Sequence, residues 1–151
     1  MTLKSFKPYT KSMRTTILVD KNDLWKGKPE KKLVSLRTRS SGRNNQGRIT
    51  SRHKSSGHKK KYRMIDFHRN KINISAIIKR IEYDPFRSAN IMLVEYEDKT
   101  MSYILAPAGV SVGDKVSSGS QLDMKPGNSM IIGEIPSGTM IHNLETVSYT
   151  H

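Results

Sequence analysis

The sequence predicts a mainly β protein, in which a small OB-type β-barrel follows a long, extended basic arm. The first observation behind this prediction is charge: residues 1–71 hold 21 Lys or Arg and 4 Asp or Glu, whereas residues 72–151 hold 6 and 9. The second is pattern, because from about residue 62 short β-branched segments alternate with turns containing Gly or Pro. We therefore divide the chain into a basic arm (1–61), a barrel (62–143) and a C-terminal end (144–151).

The start of the arm is expected to be extended. Thr15–Val19 is β-rich and predicts one short strand or a packing hook, and Lys32–Thr38 predicts a short amphipathic piece. Trp25 has two interpretations that stay open: an anchor against this protein's own barrel, or a ring that stacks on an RNA base. Residues 1–16 lack acids and resemble a mitochondrial transit peptide in composition, but no long amphipathic face accompanies them, so a basic tail is the simpler interpretation.

The segment from Arg37 to Lys71 carries the strongest functional signal. It holds twelve Lys or Arg and a single acid, Asp66, and almost no apolar residue interrupts it before Tyr62. Such a segment cannot bury a core and repels itself in water, so it makes physical sense only against a polyanion. We expect Asp66 to orient Arg63 or Arg69 for contact with a phosphate.

The residue types in this segment favour RNA as the polyanion. Gly42, Gly47 and Gly57 allow the backbone to approach a phosphate closely. Arginine binds phosphate bidentately and stacks on bases, while asparagine can bind base edges and 2′-hydroxyls. A nuclear localisation signal would explain Lys59–Lys61 but not the Arg, Asn and Gly residues around them.

The predicted barrel is a series of short strands. A strand over Ile72–Tyr83 ends at Asp84, because the following proline restricts the backbone of the residue before it. The predicted strands are Tyr62–His68, Ile72–Tyr83, Asn90–Tyr96, Met101–Ala106, Lys115–Val116, Ser129–Ile132, Thr139–His142 and Leu144–Tyr149. Lys125–Asn128 places Pro and Gly at the centre of a predicted type II turn.

Asn90–Tyr96 is the clearest of these strands. Alternation places Met92, Val94 and Tyr96 on one face and Ile91 and Leu93 on the other. A strand that is apolar on both faces is buried on both, which suits a closed small barrel.

Other classes of protein find little support in the sequence. The chain has no cysteine, which removes disulfides and thiolate chemistry, and no apolar run approaches the roughly 20 residues of a membrane span. The spacing of His53 and His58 could suit a metal pair, but no cysteine or acid cluster completes a site. The acids are scattered and no phosphate loop or nucleophile elbow occurs, so we predict neither an enzyme nor a protein-bound cofactor.

A series of motifs resembles the universal ribosomal large-subunit protein L-two family, in its bacterial or organellar form. The motifs are SGRNNQGRIT at 41–50, RH at 52–53, GHK at 57–59, YRxIDFxRNK at 62–71, EYDPFRSANI at 82–91, YILAP at 103–107, KPGN at 125–128, and IPSGT with HNLE within 135–145. They occur in order over about residues 26–145, which is far more specific than any one of them.

The resemblance implies an OB-type barrel with its basic arm laid into large-subunit rRNA. Family members help to assemble the large subunit, support subunit association and lie near the peptidyl-transferase region. We expect no cofactor of the protein itself, and the one metal that could lie nearby is structural Mg²⁺ of the rRNA. From the residues and the resemblance together, the predicted RNA contacts are Arg37, Arg39, Arg43, Asn44, Asn45, Arg48, Arg52, His53, His58, Lys59, Lys60, Lys61, Arg63, Arg69, Lys71, Arg87, Ser88 and Asn90. The expected partners are large-subunit rRNA and other large-subunit ribosomal proteins.

The sequence departs from the family after the HNLE motif, where the family has a second barrel and a basic tail. We therefore transfer no role near the peptidyl-transferase region, and expect a separate chain to supply the C-terminal barrel. A split protein with a composition leaning to Ile, Lys and Asn suggests a mitochondrial ribosome, with a bacterial or other organellar ribosome as the alternative. A free-standing OB-type RNA-binding protein or RNA chaperone is the alternative function, but it would need several exposed aromatic residues on the barrel.

Overall fold

The computed structural model describes residues 3–145, which form a mainly β protein with eight short strands and two 3-10 turns. The strands are β1 (Leu3–Ser5), β2 (Ile17–Val19), β3 (Val34–Leu36), β4 (Lys61–Arg63), β5 (Ala76–Glu82), β6 (Ile91–Tyr96), β7 (Met101–Leu105) and β8 (Lys115–Val116), and the 3-10 turns are Lys31–Leu33 and Ile132–Glu134. No helix within the described residues is long and apolar enough to cross a membrane.

The body of the protein is an antiparallel four-stranded sheet in the order β7-β6-β5-β8. A register shift between Ile78 and Arg80 marks a bulge in β5, and bulges increase the local bend and twist of a sheet. The sheet curls into a half-barrel, which agrees with the predicted OB-type fold. Single bridges continue it, from Ile65 to Tyr103 of β7 and from Ser118 to Ser129.

Both faces of β6 are buried, as its apolar pattern predicts. Met92, Val94 and Tyr96 pack in one core cluster, and Ile91 and Leu93 in a second. The first cluster joins β6 to β5 and β8, whereas the second packs against the segments that lead into and out of the basic region. β6 therefore contributes to both core clusters and connects them.

Residues 37–60, the first part of the basic segment, connect the two strands of a β-hairpin. Strands β3 and β4 pair antiparallel, with Leu36 opposite Lys61, so the two ends of the segment between them lie side by side. The short piece expected over Lys32–Thr38 is a 3-10 turn followed by β3, and of the strand expected over Tyr62–His68 only Lys61–Arg63 and the bridge at Ile65 form. We call residues 37–60 the basic loop.

At the N-terminus, the short strand expected within Thr15–Val19 is confirmed as β2. Its partner β1 is not evident from the sequence, because Leu3–Ser5 is too short to show alternation. Three apolar side chains of this hairpin, Leu3, Ile17 and Leu18, are more than half exposed.

Two strands expected near the C-terminus do not form. Ser129 makes a single bridge and a 3-10 turn follows, while Thr139–His142 contains no strand. A β-branched run becomes a strand only where a neighbour pairs with it and packs on it, and Met140 is 98% exposed. The strand expected over Leu144–Tyr149 lies almost entirely outside the described residues.

The predicted turn at Lys125–Asn128 is confirmed. The N–H of Asn128 donates to the carbonyl of Lys125 at 3.2 Å, and Gly127 has a φ of +96°. A side chain at Gly127 would also lie 2.7 Å from Val116, so both the backbone conformation and the space require glycine there.

Candidate nucleic-acid interface

The basic loop displays its cations to solvent. All twelve predicted contacts from Arg37 to Lys61 are exposed. Within the described part of the chain, the five salt bridges all lie outside the basic loop. An exposed cationic surface without carboxylate partners keeps its full charge for an external anion.

A compact substructure organises the middle of the basic loop. The Gly42 carbonyl accepts hydrogen bonds from the backbone N–H groups of Thr50 and Ser51, at 2.8 and 3.0 Å. Gly42 has a φ of +72°, and a Cβ there would lie 2.3 Å from the Ser51 carbonyl oxygen. No other residue fits this position without moving the backbone.

Asn44 and Arg43 use their side chains inside this substructure. The Asn44 Oδ1 accepts the N–H groups of Gln46 and Arg48, at 3.0 and 2.9 Å. The Arg43 guanidinium donates from Nη1 to the Gly47 carbonyl at 2.9 Å. Both residues are among the predicted RNA contacts. The structure gives them a second role, because their side chains hold the shape of the turn at the end of the basic loop, which we call its tip.

The tip itself is a turn from Asn44 to Gly47, closed by a 3.0 Å hydrogen bond from the Gly47 N–H to the Asn44 carbonyl. Asn45 occupies the centre of this turn, and Arg48 follows it. The side chains of Asn45 and Arg48 are exposed, and their contact with RNA stays a prediction.

Two cavities lie along the basic loop. The larger, of about 570 Å³, is lined by Arg43, Arg52, His53 and several serine hydroxyls, together with Lys54, which the sequence analysis did not single out. The smaller, of about 330 Å³, lies where the loop meets the turn after β5. Cations and hydroxyls around a concave surface are the groups that bind phosphate oxygens.

The predicted contacts on the body differ from those on the loop, because their cations bind the protein itself. Arg69 donates from its two terminal nitrogens to the carbonyls of Gly127 and Ser117, at 3.2 and 3.3 Å. Arg63 donates to the Lys61 carbonyl at 2.9 Å. The Nε atoms of Arg63 and Arg69 are buried and have no hydrogen-bond partner among the described residues.

Arg87 is held by Asp84, the most deeply buried carboxylate in the described structure. The Arg87 Nε lies 2.8 Å from Asp84 Oδ2, and its guanidinium is 5.8 Å from the centre of the Phe67 ring. Ser88, beside it, is exposed, and Asn90 is half-buried. Contact of this cluster with RNA stays a prediction, whereas its structural role is visible.

Lys71 binds a carboxylate on the hairpin between β6 and β7. Its ammonium contacts Asp98 and the Thr100 hydroxyl and lies 4.5 Å from the centre of the Tyr96 ring. The Lys71 ammonium, together with the hydroxyl and N–H of Thr100, lowers the pKa of the Asp98 carboxyl to about 2. Asp98 therefore remains charged at any physiological pH.

Asp66 and Trp25 also have internal roles. Asp66 accepts the backbone N–H of Arg69 at 3.0 Å, so it orients that residue through the main chain. The backbone N–H of Trp25 donates to the Ile81 carbonyl at 2.8 Å, and the Arg80 guanidinium lies 5.1 Å from the Trp25 ring centre. Trp25 is thus anchored to the body, although half of its surface stays exposed.

Among residues 3–145, no three His, Asp or Glu side chains come together in a way that could hold a metal ion. The exposed His53 and His58 belong to the two cavities of the basic loop.

Comparison with known proteins identifies close relatives. Residues 30–118, which include the whole basic loop, match the family described as "Ribosomal Proteins L2, RNA binding N-terminal domain". The chain is 53% identical over 145 residues to the large ribosomal subunit protein uL2 of Acidiphilium cryptum and 57% identical over 145 residues to that of Rickettsia felis. These alignments cover 96% of this chain but 52% and 53% of the relatives, so the chain spans about half the length of the curated relatives it matches.

Proposed function

The chain belongs to the ribosomal protein L2 family, and from this premise we propose that it is a structural constituent of a large ribosomal subunit. In this proposal the basic loop binds large-subunit rRNA, and the binding supports assembly of the subunit and translation. The role is structural rather than catalytic. The relatives of this chain carry the name of a large ribosomal subunit protein, and the matched family domain is described as RNA-binding.

The observation that carries the proposal is the separation of charge within the molecule. Eight Lys or Arg of the basic loop are exposed and have no salt bridge among the described residues. On the body, by contrast, Arg80, Arg87 and Lys71 pair with carboxylates. Unpaired cations on a loop with fixed ends can follow a phosphate backbone without breaking contacts that the fold needs.

Co-sedimentation with large ribosomal subunits tests this function. Ribosomes from cells that express the tagged chain are washed at high salt and separated into subunits on a gradient. We expect the chain in the large-subunit fraction after the wash. A chain that remains at the top of the gradient, or that divides equally between both subunits, would contradict the proposal.

The finer predictions concern partners and compartment. We propose that other large-subunit ribosomal proteins contact the chain. For the compartment we propose a mitochondrial ribosome, with a bacterial or other organellar ribosome as the alternative. The support is a composition that leans to Ile, Lys and Asn. Cell fractionation with an antibody against the chain separates these alternatives.

A further inference from the structure

The smaller cavity joins the basic loop to the body of the protein. It has a volume of about 330 Å³, and its apolar surface comes from Leu36 at the end of β3 and from Phe86 in the turn after β5. This volume lies at the lower end of the roughly 300–1,000 Å³ range of small-molecule pockets. The cavity therefore has room for a single nucleotide-sized group.

Phe86 is held in position from two sides. Its backbone N–H donates to the buried Asp84 carboxylate at 2.9 Å, which fixes the turn. Its ring meets the Tyr62 ring edge to face, with the ring centres 5.4 Å apart and the planes at 79°. An aromatic ring that the fold has already oriented loses little conformational entropy when a ligand stacks on it.

Cations line the same cavity as the Phe86 ring. Arg37, Arg39, Lys59 and Lys60 line the same cavity, and no acidic side chain does. The Lys60 ammonium donates to the Pro85 carbonyl at 3.3 Å and lies 6.0 Å from the centre of the Phe86 ring. The lining of the cavity thus combines an aromatic and an aliphatic side chain with several positive charges.

We propose that this cavity binds one unstacked nucleotide of RNA, with the base against Phe86 and the flanking phosphates among Arg37, Arg39 and Lys59. The inference rests on the proposed function and makes it more specific, because it assigns a single-stranded element rather than a duplex to this part of the loop. Bases inside a helix are stacked on their neighbours and are not free to contact Phe86 in this cavity, whereas unpaired bases are bound in this way by aromatic side chains.

The test compares Phe86→Leu, which keeps apolar volume but removes the π-system, with Phe86→Tyr, which keeps the ring. The probes are a short oligouridylate and an RNA duplex of the same length, titrated with the full chain. For oligouridylate we expect Phe86→Leu to weaken binding about tenfold or more, in line with the cost of losing one base–aromatic stack. Phe86→Tyr is expected to bind like the wild type, and all three proteins to bind the duplex equally.

Several outcomes would overturn the inference while leaving RNA binding intact: unchanged oligouridylate affinity in Phe86→Leu, or an equal loss for single strand and duplex. Binding of polyglutamate with the same dependence on Phe86 would point to an acidic peptide instead. Failure of the wild type to bind any RNA would refute the proposed function itself. Ultraviolet cross-linking of the wild type to oligouridylate gives an independent check that needs no variant. We expect a uridine adduct on Phe86, and adducts confined to other residues would count against the site.

Discussion

The Tyr103 hydroxyl donates a 2.9 Å hydrogen bond to the Glu82 carboxylate in the interior of the protein. The same hydroxyl accepts the backbone N–H of Glu30 at 2.9 Å, and Glu82 also binds the Arg80 guanidinium. Burial raises the pKa of the Tyr103 phenol, against the opposite effect of the Glu30 N–H, so the hydroxyl stays protonated. One buried phenol therefore connects β7 and β5 to the chain that leads into the basic loop.

Replacement of this hydroxyl tests the connection. Tyr103→Phe removes the hydrogen bonds to Glu82 and Glu30 while keeping the ring, and a buried group left without its partner costs about 1–3 kcal/mol. We expect a loss of that size in the free energy of urea unfolding. The control is Tyr83→Phe at a residue that is 42% exposed, for which we expect a change within about 0.5 kcal/mol. Equal effects of the two substitutions would refute the role of the Tyr103 network.

The buried pair of Asp84 and Arg87 is expected to matter far more than an exposed pair. Asp84 is fully buried, and Asp84→Asn leaves the Arg87 guanidinium without its counter-charge, which costs about 3 kcal/mol for buried pairs. Asp123→Asn breaks the pair with Lys125, in which both side chains are mostly exposed, at a cost of less than about 1 kcal/mol. Denaturant unfolding of both variants measures the difference, and a similar cost for each would contradict this account.

Asn44 and Asn45 are neighbours with different expected roles. Asn44→Ala removes the acceptor of two backbone N–H groups, so amide exchange at Gln46 and Arg48 should accelerate. Asn45→Ala should leave that exchange unchanged. We expect both variants to bind rRNA more weakly, Asn44→Ala because the tip loses its shape and Asn45→Ala because an RNA contact is lost. Unaltered exchange in Asn44→Ala would show that its side chain does not hold the tip.

The Lys71–Asp98 contact predicts a dependence on acid. Asp98 has a pKa of about 2, below the 3.8 of a free carboxyl, so the contact contributes fully above about pH 4 and is lost as the pH falls toward 2. In Lys71→Ala the pKa of Asp98 should rise toward its ordinary value. Carbon NMR titration of the Asp98 carboxyl measures this directly. A pKa that stays near 2 would assign the effect to Thr100 alone.

The parts of the fold that follow from the sequence are those set by local pattern. β6 could be predicted because Ile91–Tyr96 is apolar at positions on both faces, which only a central strand can bury. The turn at Lys125–Asn128 could be predicted because Pro and Gly suit its two central positions. Thr139–His142 was predicted as a strand from its residues alone, but no neighbouring strand pairs with it, so that prediction was wrong.

The architecture of the interface depends on contacts between distant residues. The sequence identifies the charge of the basic loop, but the pairing of Leu36 with Lys61 that closes the loop has no local signal. Nor does the sequence separate the exposed Arg48 from Arg69, whose guanidinium binds the Gly127 and Ser117 carbonyls. The sequence also does not mark Phe86 as a site residue. Its place in the interface follows only from its contacts with the Tyr62 ring and the basic loop.

The central claim is that the basic loop carries the binding to RNA. Because Leu36 and Lys61 are already paired, residues 37–60 can be replaced by an Asn-Gly turn without separating β3 from β4. The urea midpoint and Trp25 fluorescence of this variant should match those of the wild type, which controls for folding.

The decisive measurement is the salt dependence of rRNA affinity for the wild type and this variant. If all eight Lys or Arg of the loop meet phosphates of single-stranded RNA, they contribute about −6 to the slope of log affinity against log salt. We predict that the replacement removes most of the wild-type slope and most of the affinity at low salt. A folded variant with an unchanged slope would show that the body, not the basic loop, binds the RNA.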